Sequence, residues 1–522
     1  MTAAAATGTH PQRASFEDWL AVAAGTLGAT VALVDVSIVN AALPTIQGEI
    51  GATAAEGTWV GTAYLVAEIV VIPLVAWMER ILGLRRLLLG AAVLFTLFSV
   101  VCGLSANLET LILGRIGQGL AGGVLIPTAL TIIARRLPPS QQPIGLAMTA
   151  MTALLGPAVG PMLGGWLTDN LSWHYAFLIN LPICALQAVM ILIAIRPSAG
   201  DWRELRQADW TGVLGLIVSL GAGTTLLEEG HREQWFDSPF IWQLAIGTVA
   251  GLALVAYGQV RAERPVLRLS LLRNRGLASA VGLMLVVGVL LYSCLFITPQ
   301  FLAAISGYNA FNAGQVASLG GLAAIPTAIL YPLLVTRVDA RVIVAAGMLL
   351  IAFGVYRASG MTAQSAGGDF ALSLLLCGVG TTLASIPLQS AVFAAVSMDD
   401  TPEANGMIAV ARNLGGSIGL AAIASFQGER FDIHYWQINA ALSATDPELQ
   451  QWVAAVARTF GSGPEAAAAA IRSINAEIML QAQVMTFNDM FLFLTVISLI
   501  FVPLVMLLRM PAPGAASPLA MH

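Results

Sequence analysis

Long apolar runs separated by short polar segments dominate this chain. About 20 apolar residues in a helix span the hydrocarbon core of a bilayer, and fourteen runs approach or exceed that length. They cover residues 19–43, 58–78, 87–105, 109–133, 142–168, 174–196, 209–228, 240–260, 276–303, 311–336, 341–357, 369–396, 404–426 and 485–509. The pattern predicts an all-α integral membrane protein with 14 transmembrane helices.

Arginine placement predicts the orientation of these helices. All 24 basic residues are arginine, and arginine-rich loops face the cytoplasm by the positive-inside rule. With the N-terminus inside, seventeen arginines fall on the cytoplasmic side and Arg115 and Arg412 fall inside spans. The outer loops hold the remaining five, Arg232, Arg357, Arg430, Arg458 and Arg472. We therefore expect an even number of crossings and two cytoplasmic termini.

A weak internal repeat predicts how the helices are grouped. In residues 73–95 and again in 332–350, a Pro-Leu pair at a helix end precedes a charged loop and a new apolar run. The offset fits two parallel bundles of six helices, an arrangement known in secondary transporters, with two helices inserted between them. The predicted divisions are a cytoplasmic segment 1–18, a six-helix bundle 19–196, a two-helix insertion with linkers 197–275, a six-helix bundle 276–509 and a cytoplasmic tail 510–522. Within the second bundle, the outer loop 427–484 reads as amphipathic surface helices, which either cap the outer mouth or dock a partner.

Composition narrows the class of function. Charged residues make up 10% of the chain, against about 25% in soluble proteins, and the mean hydropathy is +0.81. The chain has no lysine, which excludes the GK[ST] phosphate loop of P-loop ATPases. The four cysteines lie in predicted spans and the five histidines are scattered, so we expect no metal site and no catalytic cluster. The GxGxxG match at 117–122 lies in an apolar span and is interpreted as close helix packing rather than as a nucleotide site.

Four ionisable residues lie deep within predicted spans: Asp35, Glu68, Arg115 and Arg412. Each costs at least ~2.5–3.5 kcal/mol to insert and is therefore a functional hypothesis. At ~1.5 Å of rise per residue, the first three lie roughly 9–15 Å below the outer ends of their helices and can share one layer.

Asp35 is expected to face a polar cavity. Arg115 would favour its ionised form, whereas burial and the carboxylate of Glu68 would oppose it. Such a balance suits a group that takes up and releases a proton; the alternative is a static ion pair that holds helices together. Arg412 has a separate alternative, in which its long side chain only reaches the cytoplasmic interface.

The fifth predicted helix contains GPAVGPMLGG, residues 156–165. Three of its glycines recur every fourth residue and share one face, and its prolines weaken the backbone hydrogen bonds. The pattern suits a helix that packs closely and moves during gating; static packing of small residues is the alternative. The motif residues are Gly156, Pro157, Gly160, Pro161, Gly164 and Gly165.

Several long motifs resemble one family of membrane proteins. LVDVSIVNAALPTI (33–46) resembles the first-helix pattern LDxTIVNVALPxI, with Ser37 where threonine is usual. LGRIGQGLAGG (113–123) resembles an RxxQG motif, and WHYAFLINLPI (173–183) is similar to WRWIFLINVPI. GPAVGPMLGG, NGMIAVARNLGGSIGLA (405–421) and QAQVMTFNDMFLF (481–493) follow in the order expected. The chain thus resembles the fourteen-helix drug:proton antiporters of the major facilitator superfamily, the EmrB/QacA type.

The resemblance implies export of hydrophobic or amphipathic compounds across the inner membrane, driven by inward proton flow without a cofactor. Asp35 and Glu68 would bind the protons, with Arg115 as their electrostatic partner. A small amphipathic substrate and membrane lipid are the implied partners, a periplasmic adaptor with an outer-membrane channel is a further one, and nucleic acid is not expected. One motif departs from the superfamily: GxLADRxGRR is replaced by AWMERILGLRR, with Arg80 at the aspartate position and Glu79 one residue before it. The sequence therefore does not decide whether the salt bridges that this loop forms in the superfamily are present here.

A mostly apolar cavity with few polar groups is expected to bind the substrate. Its candidate lining residues are Asn40, Tyr64, Gln118, Tyr292, Phe296, Gln300, Gln389 and Asn413. Two other functions stay open from the sequence: a proton-coupled importer of a nutrient or ion, and a membrane receptor or intramembrane enzyme. The first is disfavoured by the antiporter-like glycines, and the second by the lack of a catalytic cluster or soluble domain.

Overall fold

The computed structural model describes residues 13–198, 200–262, 264–442, 447–460 and 464–508. Most of the predicted N-terminal segment, the predicted tail and Arg509 lie outside the described residues. Within these ranges, thirteen helices are long and apolar enough to cross a membrane. The 29-residue helix Gln142–Asn170 occupies the fifth predicted span, so each of the fourteen predicted spans coincides with a helix.

We number these helices in chain order. They are α1 (Phe16–Ile50), α2 (Trp59–Leu82), α3 (Leu84–Gly103), α4 (Leu108–Arg136), α5 (Gln142–Asn170), α6 (Tyr175–Ala194), α7 (Trp210–Glu229), α8 (Pro239–Arg261), α9 (Arg275–Ala304), α10 (Ala310–Val335), α11 (Ala340–Ala358), α12 (Ala371–Ala395), α13 (Thr401–Ala441) and α14 (Pro464–Phe501).

Local sequence explains where several helices begin, end or bend. A capping box between Ser15 and Asp18 starts α1, which ends at Gly51 in the left-handed conformation, with φ 75°. Asn107 caps α4 by accepting a hydrogen bond from the backbone N–H of Thr110. Midway along α2, a 3₁₀ turn occurs at Pro73, whose ring removes a backbone donor.

The helices pack as two groups with an inserted pair. In the first group α1 packs on α4, α5 and α6, and α4 also packs on α2 and α3; in the second, α9 packs on α13 and α12, and α12 on α10 and α11. The two groups meet where α5 lies against α10 and α4 against α13. The inserted helices α7 and α8 pair with each other, and α7 contacts both α2 and α13. The insertion therefore touches both groups.

The outer segment 427–484 differs from the prediction. The helices run beyond the predicted spans 404–426 and 485–509, because α13 continues to Ala441 and α14 already begins at Pro464. PEAAAAAIRSINAEIMLQAQ is thus the first half of α14 rather than a separate surface helix. Only Pro447–Phe460 forms a helix of its own among the described residues of the segment. Hydropathy marks where a helix leaves the apolar layer, whereas the helix itself continues through polar residues that contain no breaker.

Consecutive spans run in opposite directions, so the connections fall at two ends. We call the end formed by residues 137–141, 195–209, 262–274 and 396–400 the arginine-rich end, and the other, formed by 51–58, 171–174, 230–238 and 359–366, the opposite end. The two groups are in contact at the arginine-rich end, where the amide of Asn405 on α13 donates to Thr131 Oγ1 on α4 at 3.3 Å. A cavity separates them toward the opposite end.

Candidate functional site

A cavity of about 500 Å³ lies between the two groups and opens toward the opposite end. It is bordered by α1 and α5 on one side and by α9, α10 and α13 on the other, and its lining is mainly apolar. Four residues that the sequence placed there do line it: Asn40, Tyr292, Phe296 and Gln300. An adjoining space of about 460 Å³ shares Phe296 and Gln300 and is bordered by His231 from the loop after α7.

The other four predicted lining residues lie elsewhere. Tyr64 and Gln118 are fully buried in the first group, where their polar atoms serve neighbouring helices. Asn413 accepts a hydrogen bond from the hydroxyl of Tyr292 at 3.4 Å, behind the cavity wall. Gln389 borders a separate, much smaller cavity. Sequence identified polar residues of spanning helices, but helix rotation decided which of them reach the large cavity.

Asp35 lies inside the first group rather than in the cavity, so the expected exposure to a polar cavity is wrong for this conformation. Its side chain has no exposed surface. Its carboxylate accepts hydrogen bonds from Arg115 at 2.5 Å, Asn180 at 2.6 Å and Gln118 at 3.4 Å. The next residues of α1, Val36 and Ser37, line the cavity, so only a fraction of a helical turn separates Asp35 from it.

Arg115 is the counter-charge of Asp35 and is equally buried. Its Nε donates to the carbonyl of Val60 at 3.0 Å, and one terminal nitrogen also donates to Gln118 at 3.0 Å. The guanidinium lies over the ring of Tyr64, 4.2 Å from its centroid, which adds a cation–π contact. A buried pair with this many hydrogen bonds offsets much of the desolvation that both charges suffer.

Glu68 lies in a different setting, although it was predicted to share a layer with the pair. The residue is 5% exposed, and no hydrogen bond or ion pair of its carboxylate is found within the described ranges. The cations that interact with it electrostatically are Arg412, on α13 in the second group, and Arg115 in the first. Glu68 therefore stands between the two groups, with one cation on each side.

Arg412 is partly buried and borders the space between the two groups, whereas the alternative that its side chain reaches the cytoplasmic interface stays a prediction. Its Nε and one terminal nitrogen are buried and have no hydrogen-bond partner. The residue borders a cavity of about 30 Å³ between the two groups. The backbone of α13 at Arg412 packs closely on α9, because a methyl group at Gly288 would come within 2.1 Å of the Arg412 carbonyl oxygen.

The glycine motif of α5 packs directly against the helix that carries Asp35. A methyl group at Gly160 would lie 2.2 Å from the Cβ of Ser37, and one at Gly164 would lie 2.5 Å from the carbonyl oxygen of Ile38. Gly156 meets Leu33 in the same way, and Pro161 contacts Gly314 of α10. The side chain of Pro157 lies outside the described residues. This face fixes the distance between α1 and α5 and joins α5 to the second group, whereas motion along it stays a prediction.

Ion pairs close the arginine-rich end. Arg80 on α2 pairs with Glu403 on α13 at 2.5 Å, and Arg268 before α9 pairs with Glu403 at 3.0 Å and with Asp400 at 2.8 Å. Glu79 pairs instead with Arg135 of its own group. The motif AWMERILGLRR, although it differs from the superfamily pattern, thus still supplies an ion pair between the two groups, from Arg80 rather than from an aspartate. We call Arg80, Arg268 and Glu403 the ionic gate.

Sequence reasoning missed polar residues that the fold adds to these sites. Asn180 and Ser99 complete the hydrogen bonds around Asp35, although neither carries a charge that would mark it in an apolar run. At the end of α7, Glu229 accepts from Thr62 of α2 and pairs with Arg232, and Glu228 accepts from Ser417 of α13. Glu228 is the last residue of the predicted span 209–228 and Glu229 is the first residue beyond it, so neither lies deep enough in the span to be singled out.

Comparison with known proteins agrees with this arrangement. Residues 25–420 match the family model of the Major Facilitator Superfamily. The chain is 30% identical to the colistin resistance protein EmrB of Acinetobacter baumannii over 92% of this chain and 94% of that protein. It is 29% identical to the probable multidrug resistance protein EmrY of Escherichia coli, over 91% and 92%, and 27% identical to the fatty acid resistance protein FarB of Neisseria gonorrhoeae, over 94% and 96%.

Two solved structures resemble the fold at low sequence identity. The human organic anion transporter MFSD10 matches with a TM-score of 0.57 at 17% identity, covering 92% of this chain and 99% of that one. The proton:xylose symporter XylE matches with a TM-score of 0.55 at 13% identity, covering 93% and 96%. At these identities the likeness concerns the fold alone.

Proposed function

Because this chain belongs to the major facilitator superfamily, in its EmrB-type branch, we propose that it exports hydrophobic or amphipathic compounds in exchange for protons. The names of its relatives support export: they are multidrug, colistin and fatty acid resistance proteins. We place it in the bacterial inner membrane with both termini in the cytoplasm, since the arginine-rich end then faces inward. The arginine-rich end is therefore the cytoplasmic end, and the opposite end is the outer side.

One observation carries the proposal: the central cavity opens at one end while ion pairs close the other. The cavity reaches the outer side, and Arg80 and Arg268 hold Glu403 on the cytoplasmic side. Transport by alternating access requires a second conformation in which the closed and open ends exchange. The pair Arg80–Glu403 suits this purpose, because it joins α2 of the first group to α13 of the second and must break when the groups rock apart, whereas Arg268 lies beside α9 and orients Glu403 from the side of the second group.

Protons enter the proposed cycle through Asp35 and Glu68. When a proton neutralises Asp35, the attraction between its carboxylate and Arg115 falls, and α1 is released from α4. Val36 and Ser37 are cavity-lining neighbours of Asp35, so a change at Asp35 alters the substrate cavity directly. Glu68 responds to a proton in a different way, because its neutralisation removes a negative charge that interacts with Arg412 across the groups.

No ATPase motif or cofactor is part of this proposal, and the proton gradient supplies the energy. A periplasmic adaptor with an outer-membrane channel is a proposed partner. The extensions of α13 and α14 and the helix Pro447–Phe460 lie on the outer side and give such an adaptor a surface. Tyr435 on the extension of α13 donates to Asn475 on the extension of α14 at 2.9 Å, and Arg430 pairs with Asp489, just inside the last predicted span, at 2.5 Å, so the two extensions are held side by side.

The test uses proteoliposomes with an imposed pH gradient and a fluorescent cationic dye. A pH gradient that drives protons through the protein is expected to move dye in the opposite direction, against the dye concentration gradient. Reversing the gradient is expected to reverse dye movement, and Asp35→Asn is expected to abolish the uphill phase while dye binding survives. Dye that moves in the same direction as the protons would instead support the importer. Uphill transport by Asp35→Asn would remove Asp35 from the mechanism.

A further inference from the structure

A second, much smaller cavity lies between the two groups, bordered by helices of both. It has a volume of about 30 Å³ and is bordered by apolar residues of α4 and by polar residues of α5, α12 and α13. Roughly 10–15 Å³ accommodates one water, so this space holds a group the size of a carboxylate but no drug-sized body. Its polar lining residues are Thr149, Thr381, Thr382, Ser385, Gln389 and Arg412.

Arg412 gives this small cavity a positive charge that no contact compensates. A guanidinium stays protonated in proteins and carries five N–H donors. Two of the Arg412 nitrogens, Nε and Nη2, are buried and donate to no acceptor within the described residues. Arg412 as a whole is partly buried, but two buried N–H donors of a cation without acceptors are costly, and an acceptor that enters this place during the transport cycle removes that cost.

The remaining polar groups around Arg412 also favour an anion. Gln389 is 7% exposed, its amide oxygen has no hydrogen-bond partner, and a rotation of the amide turns its N–H₂ group to the same place. The hydroxyl groups of Thr381 and Ser385 are further donors on α12. The lining contains no carboxylate: Glu68 acts on Arg412 through space, without a hydrogen bond or ion pair between them in the described structure.

Two consecutive residues of α9 border the small and the large cavity. Leu291 borders the small cavity and its neighbour Tyr292 lines the large one. The Tyr292 hydroxyl donates to Asn413, which follows Arg412 on α13. The hydrogen-bonded pair of Tyr292 and Asn413 therefore lies next to both cavities, since Tyr292 lines the large one and the preceding residues Leu291 and Arg412 border the small one.

We propose that Arg412 and Gln389 form a head-group site for an acidic amphipathic substrate, whose carboxylate binds in the small cavity while its apolar body occupies the large one. The inference rests on the proposed function, since it names the class of compound that is exported. Leu295, Phe296 and Leu420 give the large cavity the apolar surface that such a body needs. Glu68 opposes the site electrostatically, so the anion binds most tightly when Glu68 is neutral.

The test measures equilibrium binding to the purified full chain in lipid nanodiscs, with no pH gradient. The probes share one fluorophore and one alkyl chain and differ only at the end, which is a carboxylate, a primary amide or a quaternary ammonium group. Wild type is expected to bind the acid more tightly than the amide. Arg412→Gln is expected to weaken the acid roughly tenfold to a hundredfold, because a hydrogen-bonded charge is lost, and to leave the amide unchanged.

Three further variants keep the result independent of folding. Arg412→Lys retains the charge but not the planar fork, and is expected to bind the acid with intermediate affinity. Glu68→Gln is expected to bind the acid several-fold more tightly, because a repulsive charge is removed. Arg357→Gln makes the same change at an exposed arginine at the outer end of α11, away from both cavities, and is expected to bind all three probes like wild type. If Arg412→Gln does not fold, Arg412→Lys and Gln389→Leu decide, with loss of the preference for acid over amide as the expected result.

Two outcomes overturn the proposal. One is that the variants at Arg412 and Gln389 do not discriminate between the probes: either the acid binds to all of them as tightly as to wild type, or the amide and the ammonium probe lose as much affinity as the acid. The other is that Arg412 binds only a free inorganic anion. In that case chloride, replacing gluconate at constant ionic strength, would raise the thermal stability of wild type but not of Arg412→Gln, and acid binding would not depend on Arg412. Chloride that competes with the acid supports a shared anion site. Because no gradient is used, these results are separate from a failure of proton-driven transport.

Discussion

The guanidinium of Arg115 on α4 lies 2.5 Å from the carboxylate of Asp35 on α1, and neither side chain has surface exposed beyond 1%. The pair lies one residue away from the wall of the central cavity. Breaking a buried ion pair by removing one partner is far more costly than exchanging both for neutral groups. Single and double substitutions of Asp35 and Arg115 therefore measure how much the ion pair stabilises the fold, separately from any role of Asp35 in carrying a proton.

Asp35→Asn is expected to lower the free energy of unfolding by roughly 3–5 kcal/mol, because Arg115 is left buried without its counter-charge. Asp35→Asn combined with Arg115→Gln is expected to cost less than the sum of the two single changes. Denaturant titration of the purified variants in detergent measures the cycle. Strictly additive effects would mean that the two charges do not stabilise each other.

Glu68→Gln is expected to leave the unfolding free energy within about 1 kcal/mol of wild type, since Glu68 makes no hydrogen bond or ion pair in the described structure. Proton-driven transport is nevertheless expected to fall strongly, while transport down a dye gradient persists. Glu68→Asp, which keeps the titratable group, serves as the control and retains part of the driven transport. Equal driven transport in Glu68→Gln and wild type would restrict proton coupling to Asp35.

Glu403→Gln is expected to weaken the ionic gate, because Glu403 receives both Arg80 and Arg268 and is nearly fully buried. Opening of the arginine-rich end can be followed with Thr149→Cys, at a buried residue that borders the small cavity. Its reaction with a hydrophilic maleimide is expected to accelerate severalfold in the Glu403→Gln background. Glu17→Gln, at an exposed pair on the same end, is the control and leaves the rate unchanged. An unchanged rate in Glu403→Gln would mean that other contacts keep this end closed.

Gly160→Ala is expected to disturb the contact between α1 and α5, because the new methyl group meets the Cβ of Ser37 at 2.2 Å. Gly165→Ala, in the same motif, adds a methyl whose nearest neighbour is Phe311 Cβ at 3.9 Å, and is expected to be tolerated. Thermal unfolding and dye transport are the measurements. Equal behaviour of the two variants would indicate that α1 shifts at little cost and that the close packing is not required.

Much of the architecture is contained in the sequence. Each of the fourteen apolar runs coincides with a long helix among the described residues, because a helix in a bilayer must satisfy its own backbone hydrogen bonds over a length that hydropathy records. The cost of burying charge likewise singled out Asp35, Glu68 and Arg115. The ends of α13 and α14 were missed for the converse reason: beyond the apolar layer, nothing in hydropathy distinguishes a continuing helix from a loop.

Only the tertiary structure decided which of these groups meet. Spacing along one helix does not fix its rotation against another, so Tyr64 and Gln118 turned into the first group while Asn40 and Tyr292 turned toward the cavity. The same rotation gave Asp35 an ion pair and left Glu68 and the Arg412 guanidinium without hydrogen bonds between the two groups. Sequence determines which residues cannot face lipid; packing of distant helices determines what they face instead.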